Sequence, residues 1–270
     1  MRGLMAKSLR ETRRASLSFA LGVGLVMSII TYVLPQIMAG LNEFMLQVPF
    51  VRSAIAAMMG VDVSAGLTTT MMLSVMWTHP VVLALIWAHG IVLGTRFPAG
   101  EIDGGTIDVL LGWPVSRRAV YAAETMVWVA SSGGVVLAGF AGYLLATLSL
   151  PPDVRPALAR AGVAAINLFA LAFAAGAGAM AASSLVNRRG VAMAMGFAFV
   201  AGSFLLNFLT PYWGPADAIG FVGLMEYYRP ALILRDGGFP VRDVLVLVLV
   251  GGALWTIGLE RTARRDIVTV

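Results

Sequence analysis

Six stretches of mostly apolar residues dominate this sequence, each near or above the roughly 20 residues that cross about 30 Å of hydrocarbon at 1.5 Å per residue. They run over 17–39, 75–95, 120–148, 161–186, 191–210 and 241–259. Within a bilayer, a helix satisfies every backbone polar group inside one segment, so the pattern predicts helices rather than strands. The expected fold is all-α: one polytopic membrane domain over 1–270 with six transmembrane helices. Composition closes the soluble alternative. Only 12% of residues are charged and 59% are hydrophobic, against about 25% charged in an ordinary soluble domain. That excludes a soluble enzyme, a nucleic-acid binder and a disordered chain. Arg13 and Arg14 precede the first apolar stretch as in a secretory signal. The stretch is too long for a signal core and has no small-x-small cleavage site after it.

Charge sets the expected orientation. Lys and Arg gather on the cytoplasmic side of short loops. With the amino terminus inside, the inner segments hold thirteen of the 19 basic residues: Arg2, Lys7, Arg10, Arg13, Arg14, Arg96, Arg117, Arg118, Arg188, Arg189, Arg261, Arg264 and Arg265. The outer segments hold the other six, while the acidic residues divide evenly. Both termini are therefore expected in the cytoplasm, in a plasma or inner membrane.

The connecting segments carry the information. Residues 1–16 read as a basic amphipathic helix on the membrane surface, with Leu4, Met5 and Leu9 at the headgroup boundary and the cations facing anionic lipid. The inner loop 96–118 contains Glu101 and Asp103, a Gly104–Gly105 break, Thr106 as N-cap, then Ile107, Val109, Leu110 and Leu111 as a short apolar helix closed by Pro114. Nothing else in the loop offers that apolar face a burial site, so it calls for the membrane surface or a partner protein. The outer loop 211–240 is too apolar for water and too interrupted by proline and glycine to span. It fits a re-entrant or interfacial pair of short helices. The first outer loop, 40–74, has an apolar centre at Ile55–Met59.

Inside the spans, ionisable residues are few. His79 and His89 are ten residues apart, about 15 Å along a helix. A proton relay or metal site is one reading, and neutral histidines bonded to neighbouring spans is the favoured one, because no carboxylate or third ligand lies at matching depth. Glu124 is expected to pair with an inner arginine. The outer methionines Met38, Met45, Met58, Met59, Met71, Met72 and Met76 suit Cu(I) as thioethers, but they form no tight array and read as apolar packing. Ser131, Ser132, Ser183 and Ser184 have no acid or base beside them in the sequence, which argues against a membrane hydrolase. Ala174, Gly176, Gly178 and Ala182 permit close helix approach, within the bundle or at a dimer seam. Asn167 and Asn207 read as interhelical hydrogen-bond donors.

The segment Glu101, Gly105-Thr106, Leu110-Leu111, Pro114, Ser116 and Arg117, together with the six-span layout, resembles the permease subunits of type-2 ATP-binding-cassette exporters. In that family the matching segment is the coupling helix that docks on the ATPase. The resemblance therefore implies ATPase contact at Glu101, Asp103, Gly105, Thr106, Ile107, Leu110, Leu111, Pro114 and Arg117. A weaker match, Glu226-Tyr227-Tyr228-Arg229-Pro230, implies the family's outer re-entrant segment. Lys7-Ser-Leu-Arg10-Glu11 is similar to the connecting helix. One position departs: Glu124 stands where members often carry Lys. Independently of the family, a phosphate-binding loop needs G-x-x-x-x-G-K-[ST], and the one lysine, Lys7, follows Ala6. This chain is thus expected to have no catalytic residues and no cofactor of its own. ATP and Mg²⁺ would sit on a separate ATPase subunit, with a second permease copy completing the exporter. An amphipathic or hydrophobic substrate is expected because the spans carry so few charges. The alternative is a secondary transporter or channel without an ATPase.

Overall fold

The computed structural model describes residues 2–59, 69–152 and 155–266. Among the described residues there are helices and turns and no strand. In chain order the helices are α1 (Arg2–Gln47), α2 (Pro49–Met59), α3 (Thr69–Thr78), α4 (Pro80–Gly94), α5 (Glu101–Asp103), α6 (Ile107–Leu111), α7 (Arg117–Thr147), α8 (Leu158–Leu185), α9 (Arg189–Leu209), α10 (Gly214–Ile219), α11 (Pro230–Asp236) and α12 (Val241–Arg264). Among the described residues, six helical segments are long and apolar enough to cross a membrane: α1, α3 with α4, α7, α8, α9 and α12.

Two boundaries differ from the sequence reading. Residues 2–16 do not form a separate surface helix. α1 runs on from Arg2 through Pro35 to Gln47, and its 46 residues extend about 70 Å, more than twice the hydrocarbon thickness. The stripe Leu4, Ser8 and Thr12 is buried, so this face lies on protein, and only Leu9 of the three expected headgroup residues is well exposed. The described parts of 40–74 are likewise mostly helical: α1 continues to Gln47, α2 covers Pro49–Met59 and α3 opens at Thr69. The second span breaks at His79, where Pro80 cannot continue the hydrogen-bond ladder. The His79 ring caps the new helix by accepting from the Val81 N–H at 3.3 Å.

α8 is the central post of the bundle, packed by α4, α7, α9 and α12. Its small residues explain why. A Cβ on Gly90 of α4 would lie 3.3 Å from Gly176 Cα, and one on Gly251 of α12 would lie 3.1 Å from Ala174 Cα. The Ala174–Ala182 stripe is therefore consumed within the bundle. Large apolar side chains left outside, such as Leu17, Leu21, Leu25 and Ile29 along one line of α1, form the lipid-facing surface of such a protein. An apolar groove of about 730 Å³ runs between α4 and α9, lined by Trp87, Ile91, Phe197 and Phe204 among others.

Met71, Met72 and Met76 are buried in apolar packing; the side chains of Met38, Met45, Met58 and Met59 lie outside the described residues. His89 is buried in the bundle, with Nε2 3.2 Å from the Ser131 hydroxyl and Nδ1 3.3 Å from the Ser132 hydroxyl. The expectation that no base stands beside these serines is overturned. α4 and α7 bring together residues more than 40 positions apart, which spacing along either segment cannot reveal. Among the described residues, no group of three His, Cys, Asp or Glu side chains is placed to hold a metal ion.

Candidate functional site

The ends of α1, α4, α7, α8, α9 and α12 that carry the thirteen basic residues meet at one end of the bundle. The chain after α4 kinks through Arg96–Gly100, with Phe97 in extended backbone, then forms α5, then reverses at Gly105, whose φ of +68° favours glycine. Thr106 holds the N-cap position of α6, but its hydroxyl donates to the Glu101 carboxylate instead of capping the helix. Gly112–Pro114 follow α6, and Ser116 opens α7 by accepting from the Ala119 N–H at 3.2 Å. The Ala99 N–H donates to Ser183 Oγ at 3.0 Å, which ties the kink to α8.

The apolar face of α6 has a burial site after all, in correction of the sequence reading. Ile107 (1% exposed) and Leu110 (4%) pack with Leu4 of α1, Phe97 of the kink, Val120 and Tyr121 of α7 and Met180 of α8. Leu111 is half-buried at the margin of this cluster. What points outward is the other side: Val109 is 71% exposed and Trp113 45%, with Asp108, Gly112 and Pro114 exposed around them. Ile107 and Leu110 therefore anchor the segment, and they are not available as a docking face. The signal was present, since a five-residue helix cannot hold itself together and needs such anchors. Which turn of it faces inward depended on Leu4 and Tyr121, far away in sequence.

Charges brace the same end. Lys7 Nζ lies 3.0 Å from Glu101 Oε1 and 3.4 Å from Glu11. Arg96 pairs with Glu11 and lies 3.7 Å from Glu124, which also accepts from the Ser8 hydroxyl at 2.8 Å. Burial would raise the Glu101 carboxyl, but the Thr106 hydroxyl and Lys7 outweigh it and hold Glu101 below the usual glutamate range. Burial likewise works against charge on Lys7, and Glu101 and Glu11 override it and raise the ammonium. Asp103 accepts from the Arg189 backbone N–H at 3.1 Å, joining the loop to α9. Arg117 donates to the Arg265 carbonyl, and Arg265 donates to the carbonyls of Ser184 (3.1 Å) and Val186 (3.0 Å) at the end of α8. Arg118 pairs with Glu260 at 2.9 Å. Glu124 thus has an arginine partner as expected, and its carboxylate belongs to the internal brace. Arg96 and Arg189 were read only as inner-loop cations, and Ser8 and Glu11 only as part of the connecting-helix match, because their roles depend on partners far away in the chain.

The second predicted group lies at the opposite end. Two short helices, α10 and α11, flank two tight turns that include Leu224–Tyr227. Glu226 pairs with Arg229. The Tyr227 hydroxyl donates to the Phe221 carbonyl at 2.7 Å, and buried Tyr228 donates to the Trp77 carbonyl at 2.8 Å. Pro230 opens α11. Asn167 and Asn207 donate to the carbonyls of Tyr227 (3.1 Å) and Gly220 (3.3 Å), so they fasten this segment instead of bonding to another span. Residues 101–117 and 226–230 are therefore two separate constellations, one at each end. The chain matches no protein-family model and no curated protein.

Proposed function

We propose that this chain is the membrane-spanning permease subunit of an ATP-driven exporter of the type-2 cassette class. In this reading both termini are cytoplasmic, two permease copies combine with two ATPase subunits, and ATP and Mg²⁺ bind the ATPase alone. One observation carries it: Val109 and Trp113 are held out on a loop whose own anchors are buried and whose Arg96 and Glu101 are paired. An exposed tryptophan beside an exposed valine on a stiff charged base is a surface that a protein partner would cover. Because Ile107 and Leu110 tie the loop to α1, α7 and α8, force applied at Trp113 passes directly into three long helices. The apolar α4–α9 groove suits an amphipathic or hydrophobic cargo.

The test is coexpression with the cassette ATPases of the source genome, each tried in turn. Wild type copurifies with one of them, whereas Val109→Asp/Trp113→Asp loses it at unchanged thermal stability. Equal recovery of wild type and variant refutes the assignment.

A further inference from the structure

Next to the exposed loop lies a cleft of about 340 Å³, between the amino-terminal part of α1 and α6, with Val109 and Trp113 on one wall. Three cations line it: Lys7, Arg96 and Arg189. Two are already neutralised, Lys7 by Glu101 and Glu11, and Arg96 by Glu11 and Glu124. Arg189 differs. Among the described residues no carboxylate lies within ion-pair distance of its guanidinium. Asp103 takes the backbone N–H of Arg189, and its carboxylate acts on the guanidinium only from beyond ion-pair distance, opposed by Arg96. One terminal nitrogen donates to the Val92 carbonyl at 3.0 Å, and Nε is enclosed with no partner. The side chain is held in place: the stem crosses Gly100, where a Cβ would come within 3.2 Å of Arg189 Cδ. The cleft therefore presents one fixed guanidinium without an ion-pair partner, beside apolar walls. That suits a single negative charge on a partly apolar surface. Glu11 and Glu101 are already matched by Lys7 and Arg96, so one uncompensated positive charge remains, and it matches a single carboxylate more closely than a multiply charged phosphate.

We propose that this cleft receives an Asp or Glu side chain of the ATPase subunit, with Arg189 as its counter-charge and Val109 and Trp113 seated on the apolar surface around it. This rests on the reading of the chain as a permease and names the chemistry of its partner's contact.

The experiment measures the Kd between the purified chain in nanodiscs and the coexpressed ATPase, at low and high salt. Arg189→Gln is expected to weaken binding about tenfold and to flatten its salt dependence, whereas Arg188→Gln leaves both unchanged. One acidic residue of the ATPase, changed to Arg, is expected to restore binding to Arg189→Glu. Arg189→Lys, which keeps the charge, controls for misfolding and retains most of the affinity. If Val109→Asp/Trp113→Asp abolishes binding while Arg189→Gln leaves Kd and salt dependence untouched, the counter-charge is wrong and the permease reading survives. If Val109→Asp/Trp113→Asp binds normally, the permease reading fails. If the Arg189→Gln defect vanishes in nanodiscs without anionic lipid, the cation serves a lipid phosphate and the proposal is overturned.

Discussion

Within α6, adjacent residues should fail in opposite ways. Leu110 is 4% exposed and Val109 is 71% exposed. Truncating a buried leucine to alanine costs about 2–5 kcal/mol, more where the site cannot collapse. Here the neighbours Phe97, Tyr121 and Met180 belong to other elements, so relaxation is limited and about 3 kcal/mol is a fair centre of that range. A five-residue helix has little stability of its own, so most of that loss appears as local opening of residues 104–112. At 1.4 kcal/mol per decade, amide exchange there rises roughly 100-fold in Leu110→Ala. Val109→Asp changes an exposed position and should alter stability by no more than about 0.5 kcal/mol, two- to threefold in exchange. Hydrogen–deuterium exchange with mass spectrometry in nanodiscs reads both. The partition into anchor and free face is refuted if Val109→Asp opens the segment as much as Leu110→Ala, or if Leu110→Ala leaves exchange unchanged.

Three further outcomes follow from the packing and the charges. A Cβ on Gly142 of α7 would sit 2.1 Å from the Gly24 carbonyl oxygen of α1, with only backbone to move. Gly142→Ala should therefore cost about 1–3 kcal/mol, while Gly134→Ala, with nothing within 4 Å, is neutral or better; thermal melts in detergent compare them. Tyr228→Phe removes the donor to the buried Trp77 carbonyl and should destabilise the 211–240 segment by about 1–3 kcal/mol, read as faster exchange over 220–236. The Lys7–Glu101 pair sets a pH window. Glu101 is depressed, so its contribution is whole above the ordinary glutamate value of about 4.3 and is lost as pH falls through its folded value. Lys7 is raised, so its contribution is whole below about 10.4 and is lost as pH rises past its folded value. Exchange protection of 101–112 should be flat between these limits and fall outside them, and Glu101→Gln should remove the acid limb; an unchanged acid limb contradicts the pairing.

The spans were legible because a bilayer imposes a length and an apolarity that a single segment must satisfy alone. The turn at Gly105 and the small-residue stripe of α8 were legible for the same local reason. Relations between segments were not. That Leu4 and Ile107 share one apolar cluster, that His89 reaches Ser131 and Ser132, and which inner arginine answers Glu124 are relations between residues far apart in the chain or on different helices. The amino-terminal segment misled most, because a basic amphipathic pattern serves equally for lipid and for protein. Leu4, Ser8 and Thr12 mark protein only once two of them are seen to be polar and buried. Trp113 gained its importance the same way, by what remained outside after Ile107 and Leu110 were used.

The sidedness of Trp113 tests the central proposal most directly. The chain contains no cysteine, so Trp113→Cys and Phe221→Cys each introduce a single thiol reporter at an exposed position. In intact cells a membrane-impermeant maleimide should label the Phe221→Cys variant and spare the Trp113→Cys variant. After permeabilisation the Trp113→Cys thiol should react, and bound ATPase should then shield it. Labelling of the Trp113→Cys variant from outside intact cells would place the loop on the wrong side of the membrane and contradict the account.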